Sequence, residues 1–227
     1  MKKIFLLFSI FCSLFFIFCN NQANNKKESV ADSLKADKNP NSEDLKNIVF
    51  FGNSLTAAFG LNPSEGFAGR VAQRIDSLKL GYKTINAGLS GETTAAGAER
   101  VDWVIGRQKV HIFILELGGN DALRGLKTTE SEKNLQTIID KVKAKYPDCK
   151  ILLAGMMAPP NMGKKYADDF KNVYTKVAKT NNLPLIPFLL EGVGGIARLN
   201  LPDGIHPTAE GHRIVTENIW KVLKSML

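Results

Sequence analysis

The sequence is poor in cysteine and histidine and has no long apolar run. Of three cysteines in 227 residues, Cys12 and Cys19 lie close to the N-terminus, which leaves Cys149 alone in the remainder. A disulfide needs two thiols, so the body of the chain has no intrachain disulfide and Cys149 reads as a packed side chain. The histidines, His111, His206 and His212, are scattered, and neither HExxH nor CxxC occurs. The common metal-site spacings are therefore absent, and no metal is expected. The chain is basic, with 30 Lys and Arg against 22 Asp and Glu. Its lysines spread along helix faces (Lys141, Lys143, Lys145; Lys171, Lys176, Lys179) rather than gathering among aromatics, so no nucleic-acid partner is expected. The longest apolar run, Ile4–Phe18, has fifteen residues, short of the about 20 that a spanning helix needs.

That run carries an address instead. Lys2 and Lys3 precede it and polarity returns abruptly at Asn20, the pattern of a secretory signal over residues 1–19. Cys19 at its end resembles the cysteine of a bacterial lipoprotein signal, which receives the lipid. Phe18 departs from the small residue usual before it, and the alternatives are a plain signal or an uncleaved anchor. An exported, envelope-located protein held to a membrane through Cys19 is the expectation. Residues 20–46 are rich in Asn, Lys, Ser and Asp with few large apolar side chains, so they are expected to form a disordered tether. Residues 47–227, about 180 in number, suffice for one domain with a substantial core.

Within that domain, short apolar runs alternate with amphipathic stretches. Ile48–Phe51, Tyr82–Asn86, Val110–Leu117, Lys150–Ala154 and Leu185–Pro187 read as strands. Between and after them, apolar residues recur at helical spacing: Phe67, Val71, Ile75 and Leu78; Ala98, Val101 and Ile105; Leu135, Ile138, Ile139 and Val142; Tyr166, Phe170, Val173 and Val177; Val215, Ile219, Val222 and Met226. This order predicts a five-stranded, mainly parallel sheet with helices on both faces. Right-handed crossovers place all strand C-termini on one edge, where ligands gather in such folds. Ser54, Asn86–Thr94, Gly118–Asp121, Met156–Gly163 and Pro202–His206 should converge there.

Those segments carry the chemistry. In NIVFFGNSLTAAFG, a strand stops at Gly52 and delivers Ser54 from a tight turn, with Asn53 bonding back to its own loop. Leu55–Phe59 is expected to add a helical turn closed by Gly60. NAGLSGETTAAG has three glycines, with Thr93 or Thr94 as a helix cap and Gly88 able to turn an N–H toward a ligand. In LGGNDALRG, Asn120 offers a carboxamide N–H, while Asp121 reads as a turn or cap residue. In DGIHPTAEGH, Asp203 reaches the Nδ1 of His206 within one turn and leaves Nε2 free to take a proton from a hydroxyl. The plain alternative is an Asx turn before a helix. Each signal is weak alone, but together they supply a nucleophile (Ser54), a base (His206), its orienter (Asp203) and oxyanion donors (the Ser54 and Gly88 N–H groups and the Asn120 amide). The G-x-S-x-G elbow is absent, since position 56 is Thr.

GNSLT, Gly88, GGND and DGIHP, in this order, resemble the GDSL or SGNH hydrolases, nearest to the bacterial thioesterase I, arylesterase and lysophospholipase branch. ELGGNDALRG, PLIPFLLEGV and LPDGIHPTAEGH extend the resemblance over essentially all of residues 47–227. It implies a three-layer α/β/α flavodoxin-like fold, hydrolysis of acyl esters or thioesters of small molecules or lipids, and no cofactor. Ser54, Gly88, Asn120, Asp203 and His206 take the family's catalytic positions. Asn53 stands where the family usually has Asp; it keeps the shape and one acceptor oxygen, and activity is expected to survive. Two other readings remain open at this point: a carbohydrate O-deacetylase, and a tethered binding protein without turnover. Met156, Met157, Pro159, Pro160 and Met162 suggest an apolar rim suited to acyl chains.

Overall fold

A computed structural model describes residues 45–227; the expected signal, Cys19 and nearly all of the expected tether lie outside them. Five strands form one sheet: β1 (Lys46–Gly52), β2 (Tyr82–Gly88), β3 (Ile112–Glu116), β4 (Lys150–Ala154) and β5 (Leu185–Ile186). Their order is β2-β1-β3-β4-β5 and every pairing is parallel, which is the flavodoxin-like doubly wound arrangement. Among the described residues the six α-helices are α1 (Phe67–Ser77), α2 (Thr94–Ile105), α3 (Gly119–Leu123), α4 (Thr128–Lys145), α5 (Lys164–Asn181) and α6 (Ala209–Leu223). α1 packs on α6, whereas α2 and α5 both pack on α4. Lys46, at the expected end of the tether, already pairs with Tyr82 in β1.

β1 shows why the run Ile48–Phe51 is a strand. It lies between β2 and β3, and all four side chains are fully buried, as expected of a strand covered on both faces. Successive side chains point to opposite faces. Phe50 meets Phe67 of α1, with ring centroids 6.0 Å apart. Phe51 stacks on Phe113 of β3 at 5.4 Å and lies under the Arg100 guanidinium of α2. Each ring thus fastens one helical layer, and truncating Phe50 to alanine should cost about 3–5 kcal/mol. Cys149 is buried, and that burial pushes its thiol up to about 12, so it is inert.

The helices follow the spacing of the apolar residues, with one exception. The five-residue α3 has no apolar periodicity to announce it; Gly118, at φ 114°, starts it directly after β3. The region after Ser54 also differs from expectation. Ala57 N–H donates to Asn53 O and Phe59 N–H to Ser54 O, yet the positive φ of Ala58 breaks the turn before a helix forms.

Candidate active site

The strand ends place the predicted segments around one cavity of about 520 Å³, as the topology requires. Ser54, Gly91, Asn120, Met156 and His206 line it, one from each expected segment. A sixth segment, Phe188–Gly195, also lines it after β5 and has no counterpart among the segments expected to converge. Phe59, Leu123, Met157, Phe188 and Ile205 make its wall predominantly apolar.

Ser54, His206 and Asp203 stand in a row. Ser54 Oγ lies 2.8 Å from His206 Nε2, and His206 Nδ1 lies 2.7 Å from Asp203 Oδ2. An ionised carboxylate can only accept, so Nδ1 carries the proton and Nε2 accepts from the serine hydroxyl. The Asx turn exists as well: Asp203 Oδ1 accepts from the N–H groups of Ile205 and His206, each at 3.0 Å. The two readings of DGIHP are one structure, in which the turn fixes the carboxylate that fixes the ring. Desolvation alone would raise the Asp203 carboxyl. The donations from Ile205 N–H, the His206 ring and His206 N–H outweigh it and hold Asp203 down at about 2. Phe59 packs on the other side of the imidazole, with centroids 4.5 Å apart. Thr208 caps α6.

The oxyanion side requires a correction. Gly88 does not line the cavity: its N–H donates to Asn86 Oδ1 at 2.9 Å, and a Cβ there would lie 2.4 Å from Ala57 N. It is a glycine because the Ser54 loop passes too closely for a side chain. Gly91, three residues on, does line the cavity, with φ +82° and open space where a Cβ would be. Its loop is held firmly. Arg100 grips Glu92 with two donations at 2.5 and 2.6 Å and donates to Ala87 O, while Asn120 Nδ2 donates to Glu92 O at 3.0 Å. The second amide hydrogen of Asn120 remains for a ligand. Asp121, expected as a turn or cap residue, lies inside α3 and reaches across to the start of α2, accepting from Thr94 N–H at 2.9 Å and the Thr94 hydroxyl at 2.5 Å, while Thr93 is the N-cap of α2.

One buried carboxylate went unnoticed in the sequence. Glu116, the last residue of β3, is 1% exposed beneath the Ser54 loop. Burial pushes its carboxyl up to about 7, although donations from Thr56 and Asn53 pull the other way. An acidic residue closing an otherwise apolar, buried strand was the available signal. His212 is also buried, and desolvation with the nearby Arg70 and His206 charges lowers it to about 4. It is neutral and accepts from Phe67 N–H, joining α6 to α1. Among the described residues, no three His, Cys, Asp or Glu side chains stand together as a metal-binding group.

A doubly wound sheet that offers a serine at the end of its first strand defines a class, the SGNH-type hydrolases. This chain is an ester hydrolase belonging to the GDSL-like lipase/acylhydrolase family, whose model matches residues 50–214. It is 37% identical over 180 residues to the esterase TesA of Pseudomonas aeruginosa, covering 79% of this chain and 89% of that one. It is 29% identical to a protein of Escherichia coli K12 named thioesterase 1/protease 1/lysophospholipase L1, covering 79% of this chain and 84% of that one. Among solved structures, the SGNH-hydrolase family esterase AlinE4 superposes with a TM-score of 0.66 at 38% identity, covering 81% of this chain and 97% of that one.

Proposed function

We propose that the protein hydrolyses acyl esters and thioesters, including lipid esters such as lysophospholipids, with Ser54 as nucleophile, His206 as general base and Asp203 as its orienter. The observation that carries this reading is the unbroken row from Ser54 Oγ through His206 to Asp203, at 2.8 and 2.7 Å, at the edge of an apolar cavity. Ser54 Oγ attacks the acyl carbon while its proton passes to His206 Nε2. The carbonyl oxygen becomes an oxyanion facing the N–H groups of Ser54 and Gly91 and the free amide hydrogen of Asn120. As the carbonyl re-forms, the bond to the leaving group breaks, and the alcohol or thiol takes the proton from His206. Water then attacks the acyl-Ser54 carbon with His206 again as base, releasing the carboxylic acid and restoring the serine. Asp203, ionised down to about pH 2, balances the imidazolium in both halves.

The cavity favours an acyl chain over a sugar. Its wall offers Phe59, Leu123, Met157 and Ile205, all partly exposed to an incoming ligand, and few polar groups for hydroxyls. The residues before the domain complete the picture: export through residues 1–19 and a lipid on Cys19 would hold the enzyme at the cell envelope, close to lipid esters. Incorporation of labelled palmitate by the wild type but not by Cys19→Ser tests the attachment. Turnover of p-nitrophenyl esters from acetate to dodecanoate, compared with Ser54→Ala, tests the chemistry. Loss of turnover with Ser54 and a rate that rises beyond acetate are expected. Activity confined to acetate would favour a deacetylase, and no turnover by a folded wild type would favour a binding protein.

A further inference from the structure

Glu116 touches no part of the cavity, yet it is bonded to the nucleophile loop three times. Asn53 N–H donates to Oε2 at 3.2 Å, Asn53 Nδ2 donates to Oε1 at 2.8 Å, and Thr56 Oγ1 donates to Oε2 at 2.8 Å. Gly52 makes the approach possible, since a Cβ there would lie 2.5 Å from Glu116 Oε2. The other side of the Asn53 carboxamide faces the nucleophile: Oδ1 accepts from Leu55 N–H at 2.9 Å and lies 3.4 Å from Ser54 Oγ. The amide is therefore polarised by its surroundings, with its donor end on Glu116 and its acceptor end on the Ser54–Leu55 turn. Reversing it would set the NH2 group against Leu55 N–H and the oxygen against a carboxylate.

We propose that Glu116 is a positioning residue for Ser54: through Asn53, a matched donor–acceptor pair inside the protein holds the serine hydroxyl at hydrogen-bond distance from His206. This rests on Ser54 being the nucleophile. The pair has a polarity that can be inverted. In Asn53→Asp, the new side chain offers acceptors on both ends, and a single proton on Glu116 restores a donor between them. In Glu116→Gln, an amide that accepts from Asn53 N–H and Thr56 points its own NH2 at the Asn53 NH2, donor against donor. In the double variant, the introduced aspartate accepts from the introduced glutamine, and the match returns with donor and acceptor exchanged.

The test is the four-protein cycle of wild type, Asn53→Asp, Glu116→Gln and the double variant, with kcat and KM measured on a soluble p-nitrophenyl ester and folding followed by near-UV circular dichroism. Asn53→Asp should keep kcat within about tenfold of wild type. Glu116→Gln should lower kcat by about tenfold to a hundredfold at unchanged KM, the consequence of one mismatched buried donor. The double variant should recover to within about threefold of wild type. A merely structural role predicts the reverse, since two changes at one buried contact would compound. Wild-type kcat in folded Glu116→Gln, or a double variant no faster than Glu116→Gln, would overturn the proposal. If Glu116→Gln does not fold, the double variant against Asn53→Asp decides: folding and near-wild-type kcat support the pair, and loss of kcat in a folded double variant, or failure of the double variant to fold, rejects it. Ser54→Ala in the same assay separates the two levels. Its loss of turnover with no rescue in the cycle sinks only this inference, whereas retained turnover sinks the nucleophile assignment beneath it.

Discussion

Two carboxylates flank Ser54, and each accepts three hydrogen bonds. Asp203 lies in front, on a loop with its side chain about a third exposed, and is held at about 2. Glu116 lies behind, wholly enclosed, and is pushed up to about 7. Donor count does not distinguish them; access to water does. Where solvent screens the charge, three donors make a permanent anion. Where solvent is excluded, three donors fall short of offsetting desolvation, and the charge becomes conditional on pH. Ser54 thus sits between a carboxylate chosen for its charge and one serving as a hydrogen-bond acceptor.

Breaking the front carboxylate should have the larger effect. Asp203→Asn leaves the turn sterically intact but frees the imidazole to take the wrong tautomer, and kcat should fall by about 10³–10⁴-fold with little change in KM; steady-state kinetics on a soluble ester would show this. A drop below tenfold would mean that the Asx turn alone orients His206. Next in size is Asn120→Ala, which removes a proposed oxyanion donor without touching either carboxylate. A loss of about 10²–10³ in kcat is expected, with only a small fall in melting temperature from the lost bond to Glu92 O. Unaltered kcat would leave the Ser54 and Gly91 N–H groups as the whole of the oxyanion site.

The rear carboxylate should instead show itself in stability. Its folded value of about 7 lies above the ordinary 4.5, so folding takes up a proton between those limits. The stability linked to that proton is fully present below about pH 4.5 and is lost as pH rises through 7, a change of about 3 kcal/mol. Of the groups facing it, Asn53 and Thr56 do not titrate in that range. Tyr174 stays neutral throughout, because burial and the Asp121 and Glu116 charges push it upward. Urea denaturation at pH 5 and pH 8 should therefore show the wild type losing ground relative to Glu116→Gln. Parallel pH dependence in the two proteins would mean that Glu116 keeps one charge state across the range.

Most of the architecture was legible because it is written in periodicity. The β1 run, the helix faces and the strand C-termini all follow from where apolar side chains recur, and the doubly wound edge then predicted which segments meet. Ser54, Asn120, Asp203 and His206 stood out because their types and spacing suit one reaction. Gly88 shows the limit: NAGLSGETT offers glycines at both 88 and 91, and which of them lines the cavity depends on where the Ala57 backbone passes, a contact between segments about thirty residues apart. Phe188–Gly195 overlaps the PLIPFLLEGV stretch of the resemblance, but its place at the cavity was not legible for the opposite reason. Its Phe, Leu and Val residues look like any partly buried loop until the fold brings it over the site. α3 is too short to have a period at all.

The parallel sheet also decides how this enzyme can be handled. Tyr82 and Lys150, the first residues of β2 and β4, bind the carbonyls of Leu227 and Met226 through the tyrosine hydroxyl and the lysine ammonium, and Lys46 starts β1 on the same edge. Both ends of the domain therefore leave from its floor, with β1, about 23 Å of strand at seven residues, between them and Ser54. A bead, an affinity tag or a fused protein attached at either end would hold the catalyst by its base with the mouth facing outward, and immobilisation by the two ends should be interchangeable.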